Sequence, residues 1–345
     1  MPMGAMAAET TGAATQASIT EPQQVSGVYQ ISTAGELEWF AQQTQGYEGK
    51  EYKAILTDDI DLGGENLYPN YMIGTSTYPY GGTFNGDGHT IKGLSIGAAF
   101  DDETDTTDSS LALFAYTQGA TIQKLTVEGS VNVKAIDIDS YKAVYVAGIA
   151  GYDKASTFSD LVSKVNVSVT GEAGICRAGG ITAVAMCLDD ASKGTTFENC
   201  VNQGNVTSGR TAGGVLGYGS IKTTLQNCKN TGAVTATKVD GSATGGGIAA
   251  VLNGSSVTAC VNKGKVTSDK RAGGVVGECN LNISTNSATA GEYPCIVRYC
   301  YNMGDILIKD EGSAGGVVGT VPAVYSSGSI SKNNMIMYCY NAGTV

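Results

Sequence analysis

Short runs of aliphatic residues alternate with polar residues along most of the chain, and many of these runs end at glycine or asparagine. Alternation with a period of two predicts short β-strands that each bury one face. The segment from residue 31 to about 43 differs, because Leu37, Phe40 and Ala41 follow helical spacing. Thr33 and Glu36 at its start fit a capping box, in which each side chain satisfies a free backbone N–H. The pattern predicts one amphipathic helix that caps an otherwise all-β chain.

The motif Cys-x-Asn-x-Gly occurs five times, and its cysteines lie 28, 32, 40 and 39 residues apart. Several copies lead into a Gly-Gly-aliphatic block. Self-similarity at such a period is typical of a solenoid, in which each repeat stacks on its neighbours. Successive coils run in the same direction, so the sheets are expected to be parallel. The copies begin at Cys200, Cys228, Cys260, Cys300 and Cys339.

The same spacing of aliphatic residues continues towards the N-terminus, where leucine takes the place of cysteine. Leu161 and Leu125 precede Cys200 at repeat distance, and Leu94 is expected to extend the column by one more coil. These positions predict one inward-facing column of about eight residues. Because parallel crossovers are almost always right-handed, the predicted fold is an all-β, right-handed parallel β-helix, or β-solenoid, with an N-terminal capping helix.

Each residue of the motif has an expected structural role. The cysteine is a small apolar residue that fits a narrow core. The asparagine side chains are expected to hydrogen-bond from coil to coil as a ladder. The glycine after each asparagine is expected to form a left-handed corner, and the Gly-Gly pair to give the strand a thin face. The predicted ladder contains Asn202, Asn230, Asn262, Asn302 and Asn341.

The sequence divides into three predicted regions. Residues 1–26 begin Met-Pro-Met-Gly and continue rich in Ala, Thr and Gln, which predicts a disordered leader or residues added by cloning. Residues 27–100 form the N-terminal cap and first coils, and residues 101–345 form the repeats. The last copy stops at Val345 without the strand and Gly-Gly block that follow earlier copies. We therefore expect the chain to be part of a longer protein.

Charge and hydropathy exclude several classes of function. The formal net charge is -11 and the pI is about 4.6, whereas nucleic acids and anionic membranes bind clustered basic residues. The sequence has no run of 18 apolar residues that would predict a membrane-spanning helix in this segment. Zinc is not expected either, because the chain has one histidine and no Cys-x₂-Cys pair. No cofactor is predicted.

Cysteine chemistry leaves two alternatives open, buried thiols or disulfides. The five repeated cysteines are expected to be reduced core residues. Cys279 and Cys295 flank an insertion and are the favoured disulfide pair, and Cys176 with Cys187 is the second candidate. His89, the only histidine, lies in an Asn-Gly-Asp-Gly-His turn, and a structural role is expected there.

Two clusters are candidates for ligand binding. Asp59 and Asp61 share one face of a strand and form a weak Ca²⁺ candidate, since alternating carboxylates supply oxygen ligands. Four tyrosines crowd into a segment that contains two prolines. Exposed aromatic rings stack on sugars and anchor protein partners, although the same rings could instead cover the first coils. The candidate ligand-binding residues are Tyr68, Tyr71, Tyr78 and Tyr80.

The segments Thr57-Asp-Asp-Ile-Asp-Leu62 and Gly82-Thr-Phe-Asn-Gly-Asp-Gly-His-Thr-Ile91, together with blocks such as Gly148-Ile-Ala-Gly151 and Gly214-Val-Leu-Gly217, resemble GLUG-motif β-solenoids. The resemblance covers roughly residues 27–345. It implies a region of a large bacterial surface or secreted protein, of the kind that occurs in adhesin-like proteins and accompanies immunoglobulin A peptidases. It implies no catalytic residues.

The resemblance implies an extracellular, cell-wall-associated or secreted location. We expect a non-enzymatic adhesin or stalk that contacts a host glycan or host protein, without nucleic acid or membrane insertion. The alternative is a polysaccharide-active parallel β-helix enzyme, a lyase or hydrolase, which would lose activity on substitution of one acidic residue.

Overall fold

The computed structural model describes residues 18–64, 66, 71–100, 108–135, 142–171, 175–188, 193–237, 241–284, 291–322 and 333–345. The chain winds through stacked coils, and corresponding strands of successive coils pair in parallel to form long sheets. The predicted all-β parallel solenoid with one N-terminal helix is confirmed.

The helix spans Ala34–Thr44 and begins with the predicted capping box between Thr33 and Glu36. A short 3₁₀ helix follows at Gly49–Glu51. Phe40 projects from the α-helix to the end of the β core, where its ring centroid lies 6.0 Å from those of Tyr80 and Phe84. The helix therefore covers the apolar interior of the first coils.

Two sheets form the walls that carry the repeat motif. Within the described residues, the first sheet contains the strands Gln23–Val25, Val28–Ile31, Lys53–Leu56, Thr83–Asn85, Thr121–Gln123, Thr157–Ser159, Thr196–Glu198, Thr224–Gln226, Ser256–Thr258, Ile296–Arg298 and Met335–Met337. The second contains Ile60–Asp61, Thr90–Phe100, Thr126–Ala135, Val162–Thr170, Val201–Asn202, Val206–Ser208, Lys229–Asn230, Val234–Ala236, Val261–Asn262, Val266–Ser268, Tyr301–Asn302, Ile306–Ile308 and Tyr340–Asn341.

Two further sheets, called sheet 3 and sheet 4 below, are joined in most coils by the Gly-Gly-aliphatic turns. Sheet 3 contains Ser109–Leu111, Ala143–Ala147, Ile175–Gly179, Thr211–Gly213, Thr244–Gly246, Arg271–Gly273 and Ser313–Gly315. Sheet 4 contains Phe114–Gln118, Ala150–Lys154, Thr182–Met186, Leu216–Gly219, Ala249–Asn253, Val276–Asn280 and Val318–Thr320. A small antiparallel hairpin, Asn282–Ser284 with Gly291–Tyr293, projects from one predicted insertion.

The predicted core column holds from Leu125 to Cys339. Its residues are buried up to Cys300, and Cys339 is half-buried. The extension to Leu94 is wrong, because Leu94 pairs with Gly129 and the residue one coil below Leu125 is His89. The pairing of Thr126 with Thr90 places His89 beside Leu125, and the spacing of leucines does not reveal this pairing.

The asparagines form a continuous amide ladder through the core. Each Nδ2 donates to the Oδ1 of the next coil: Asn202 to Asn230 at 2.8 Å, Asn230 to Asn262 at 2.9 Å, Asn262 to Asn302 at 2.8 Å, and Asn302 to Asn341 at 2.7 Å. The same Nδ2 atoms also donate to the carbonyl of the glycine two residues on. Buried amides thus satisfy one another and hold the turns together.

The left-handed corner lies elsewhere than predicted. The glycine after each ladder asparagine does not adopt positive φ. A Cβ on Gly232 would instead overlap the carbonyl oxygen of Gly204 in the adjacent coil, so close stacking demands glycine. The residue before each motif cysteine has φ of 54–55°, at Asn199, Asn227, Ala259, Tyr299 and Tyr338. These non-glycine residues adopt the left-handed conformation that L residues rarely take, and the rings of Tyr299 and Tyr338 stack on each other at successive corners.

The side chain of Asp153 is completely buried. Asp153 accepts hydrogen bonds from Thr117 Oγ1 at 2.6 Å, Thr195 Oγ1 at 2.5 Å and the Ser156 amide at 3.2 Å. Burial raises its pKa above the ordinary value, and the three donors oppose that shift. Because Thr117 and Thr195 belong to the coils on either side, Asp153 ties three coils together.

Cys279 and Cys295 are joined by a disulfide, with Cα atoms 5.7 Å apart. Cys176 and Cys187, the second predicted pair, are both free. The predicted disordered leader is too long at its C-terminal end, because Gln23–Val25 pair with Val28–Ile31. Residues 1–17 lie outside the described residues.

Candidate ligand-binding groove

Sheets 3 and 4 meet at the Gly-Gly turns, and their outward side chains line a groove that follows the solenoid axis. One row of side chains comes from sheet 3 and occupies the same position in each repeat, which is the residue before Ala-Gly-Gly in most coils. A second row comes from sheet 4 and lies on the opposite side of the groove. The first row is Tyr145, Arg177, Thr211, Thr244 and Arg271. The second is Tyr116, Tyr152, Val184, Tyr218, Val251 and Glu278.

Tyrosines dominate the N-terminal part of the groove. The ring centroid of Tyr152 lies 6.0 Å from that of Tyr116 and 5.3 Å from that of Tyr145. They border a cavity of about 370 Å³ whose other lining residues are Ser76, Pro79, Asp108, Thr117, Gln118 and Lys154. Aromatic faces beside hydroxyl, amide and charged groups are the combination that binds sugars and amphipathic segments.

Hydrogen bonds fix the position of Tyr145. Its Oη donates to Asp108 Oδ2 at 3.3 Å, and Asp108 Oδ1 accepts from the Ala143 amide at 2.9 Å. Burial, followed by the charge of Asp108, raises the pKa of Tyr116 to about 12 and also raises that of Tyr145. Both phenols are protonated at neutral pH, so they present hydroxyl donors and no negative charge to a ligand.

Arginines dominate the next part of the groove. The guanidinium carbon of Arg177 lies 3.9 Å from the ring centroid of Tyr218, a cation–π contact. Arg271 Nε lies 3.5 Å from Glu278 Oε2. These residues border a cavity of about 240 Å³, which is also lined by Ile175, Arg210, Thr211, Ser242, Thr244 and Val251. Burial lowers the pKa of Arg177, but a guanidinium remains charged in proteins.

The two parts adjoin along the solenoid axis. Tyr145 and Arg177 are paired residues of adjacent strands, which lie about 4.8 Å apart. Ala183 and Val184 pack with Tyr145 in an apolar cluster that Tyr152 and Tyr218 cover. An extended ligand lying along the axis would therefore contact the tyrosines and the arginines together.

The predicted tyrosine cluster is not this groove. Tyr80 is completely buried and its Oη donates to the Tyr52 carbonyl at 2.8 Å. Tyr71 is also buried. Both assignments as ligand contacts are wrong, because these rings fill the core beneath the capping helix. Tyr78 is half-buried and packs edge-on against Tyr47, and Tyr68 lies outside the described residues.

The carboxylates of the weak Ca²⁺ candidate, Asp59 and Asp61, interact with hydrogen-bond donors and charged groups of the protein itself. Asp59 accepts from the Thr90 amide at 2.8 Å and faces His89 Nδ1 at 3.3 Å. Asp61 accepts from the Gly63 amide at 2.9 Å and pairs with Lys92. These donors lower the pKa of both carboxyls. The described part of the chain contains no group of three or more His, Cys, Asp or Glu that could hold a metal ion.

The sequence contains a signal for the groove that lies outside the repeated motif residues. Motif residues such as cysteine and glycine repeat because they build the core. The position before Ala-Gly-Gly varies between Arg, Thr and Ser. When one outward-facing position varies within an otherwise regular repeat, its residue type is not set by packing of the core, and the position is a candidate for ligand binding.

No protein-family model and no curated protein matches the chain. Solved structures do resemble it. A candidate immunoglobulin A1 protease from Bacteroides ovatus has a TM-score of 0.49 at 17% identity, over 91% of this chain and 84% of that chain. A structure described as IgA1 protease has a TM-score of 0.50 at 15% identity, over 89% of this chain and 21% of that chain. At 15% identity the likeness to the second structure shows a shared fold alone.

The expectation that the chain is not an enzyme is contradicted by the second of these structures, which is described as a protease. That expectation is withdrawn. In the part of the chain that the structure describes, no helix is long and apolar enough to cross a membrane.

Proposed function

We propose that this β-solenoid is the substrate-binding region of a secreted or surface-exposed bacterial enzyme, and that its groove binds glycoproteins. The resemblance to GLUG-motif solenoids and the fold shared with an IgA1 protease support an extracellular location. The likeness spans 21% of that protease, which fits a region that accompanies other parts of a larger protein. Immunoglobulin A1 is therefore the first ligand to test.

The group formed by Tyr116, Tyr145 and Tyr152 carries the proposal. Tyr116 and Tyr152 are half-buried at the groove surface, buried Tyr145 packs beside Tyr152, and neighbouring hydroxyl, amide and carboxylate groups border the same cavity. The 6.0 Å spacing places Tyr116 and Tyr152 next to each other along the axis, and the 5.3 Å spacing places Tyr145 beside Tyr152 within one coil. Such an arrangement suits an extended glycan or glycopeptide better than a compact metabolite.

The carboxylates of the groove support binding more strongly than acid–base chemistry within it. Asp108 is held by the Ala143 amide and the Tyr145 hydroxyl, and Glu278 faces Arg271. A general acid or base must be within reach of the proton that it transfers. The two groups belong to widely separated coils, so they do not flank one scissile bond.

Binding of immunoglobulin A1 to the immobilised chain tests the proposal, with immunoglobulin G as the comparison protein. Tyr152→Ala should weaken binding about tenfold, which corresponds to about 1.4 kcal/mol. Tyr338→Ala is the matched control, because Tyr338 is 73% exposed and lies outside the groove. Tyr152→Ala must retain the wild-type melting temperature for the comparison to hold.

The same samples should be analysed for cleaved immunoglobulin and for depolymerised polysaccharide. Saturable binding that depends on Tyr152 supports the proposal whether or not cleavage occurs. Equal binding by Tyr152→Ala and Tyr338→Ala would place the contact outside the groove and overturn it. Turnover of a polysaccharide without glycoprotein binding would favour the polysaccharide-active alternative.

A further inference from the structure

Three of the four arginines in the chain line one cavity. The sequence contains Arg177, Arg210, Arg271 and Arg298, and all but Arg298 border the cavity in the second part of the groove. The chain as a whole is acidic, with a net charge of -11. The overall composition of the chain does not account for a basic cavity, which points to a function of this part of the groove.

The repeat makes this clustering specific. Arg177 and Arg271 stand at the same repeat position, before Ala-Gly-Gly, where the intervening coils have Thr211 and Thr244. The two arginines therefore occur on one outward row with two hydroxyls between them. Arg210 adds a third guanidinium from the turn before Thr211. Nothing in the packing of the core requires charge at this row.

The guanidinium of Arg177 is held in place for recognition. The guanidinium carbon lies 3.9 Å from the ring centroid of Tyr218, so the aromatic ring holds the cation by a cation–π contact. Among the described residues that line the cavity, the one carboxylate is Glu278, and it faces Arg271. Arg177 thus has an aromatic neighbour in place of an acidic one.

We propose that this cavity is a subsite for an acidic sugar residue, bound through its carboxylate to Arg177. The inference rests on the proposed glycoprotein-binding function and specifies the ligand. Guanidinium binds carboxylate in a bidentate manner, and the hydroxyls of Thr211, Ser242 and Thr244 line the same cavity. Tyr218 and the adjoining tyrosines supply faces for sugar rings. Hydroxyls and aromatic faces together favour a glycan over an acidic peptide.

Calorimetric titration with three matched oligosaccharides tests the subsite: sialyllactose, sulfated lactose and lactose. The chain should bind sialyllactose at least about tenfold more tightly than lactose, a difference of about 1.4 kcal/mol. Arg177→Ala should remove this preference, so that the variant binds sialyllactose no more tightly than lactose. Arg177→Lys should retain only part of it, because an ammonium group cannot form the bidentate pair.

Arg298→Ala is the control for charge. Arg298 is exposed, lies outside the groove and hydrogen-bonds to Thr258, so its loss lowers the positive charge by the same amount. If Arg177→Ala fails to fold, Arg271→Ala serves as the second variant on the same row. An equal loss of affinity in Arg298→Ala would reveal general charge attraction and overturn the subsite.

The other outcomes are also decisive. Equal binding of sialyllactose and lactose would overturn the acidic subsite and leave the proposed function intact. Tighter binding of sulfated lactose would overturn the assignment to a carboxylate, and preferential binding of a glutamate-rich peptide would overturn the assignment to a glycan. If the chain binds none of these sugars and does not bind immunoglobulin A1, the proposed function itself is contradicted.

Discussion

The side-chain amide of Asn230 fills the space into which a Cβ on Gly214 would project. The same relationship joins Gly247 to Asn262 and Gly274 to Asn302. The asparagine of the Cys-x-Asn-x-Gly motif therefore packs against the Gly-Gly pair of the second motif. The two motifs are complementary parts of one packing arrangement. The thin strand face exists because the amide ladder passes over it.

Gly214→Ala should destabilise the chain strongly. The new Cβ would overlap both the Asn230 amide and the carbonyl oxygen of Gly247, and overpacking a tight core costs about 1–3 kcal/mol or more. Urea denaturation followed by circular dichroism measures the change. Gly46→Ala is the control, since its Cβ would meet nothing closer than 3.7 Å. Equal stability of the two variants would contradict the packing argument.

Asn262→Ala should cost about 2–4 kcal/mol, because it removes ladder bonds and leaves buried partners unsatisfied. Asn230 would lose an acceptor, and Asn302 would lose a donor. Asn333→Ala, at an exposed site, should change the free energy of unfolding by less than about 0.5 kcal/mol. Chemical denaturation of both variants gives the comparison, and a neutral Asn262→Ala would show that the ladder does not contribute to stability.

Asp153→Ala should lower the free energy of unfolding by about 3 kcal/mol or more, as expected when one member of a buried polar network is lost. The hydroxyls of Thr117 and Thr195 would lose their shared acceptor. Thermal unfolding should show the loss, and Asp58→Ala at an exposed position should not. An unchanged melting temperature in Asp153→Ala would mean that the three coils are held by other contacts.

Thiol counting should give seven free thiols in the denatured, unreduced chain and nine after reduction, because Cys279 and Cys295 are disulfide-bonded. In the native chain at pH 8, an alkylating reagent should label Cys187 and Cys339 first, since both are half-buried. Burial raises the pKa of Cys176 to about 11 and also raises that of Cys200, so both should react slowly. Nine thiols without reduction would exclude the disulfide.

The local features could be predicted because they depend on neighbouring residues. Thr33 and Glu36 are three residues apart, so the capping box is visible in the sequence. The stacking of coils is also visible, because Cys200, Cys228 and Cys260 repeat at core positions. The predictions for Leu94 and for the left-handed corners were wrong, since the pairing between coils and the close approach of an adjacent coil leave no local signal.

The sequence by itself determined the parallel solenoid, its capping helix and its ladder of asparagines, because repetition imposes one packing solution on every coil. Only the tertiary structure decided which tyrosines face outwards. Tyr80, at an isolated β-bridge, lies in the core, whereas Tyr152, in the strand Ala150–Lys154, lines the groove. The groove also required Arg177 and Tyr218 to meet, although they are 41 positions apart in the sequence. Such a contact depends on how one coil lies upon the next, which is a property of the folded stack.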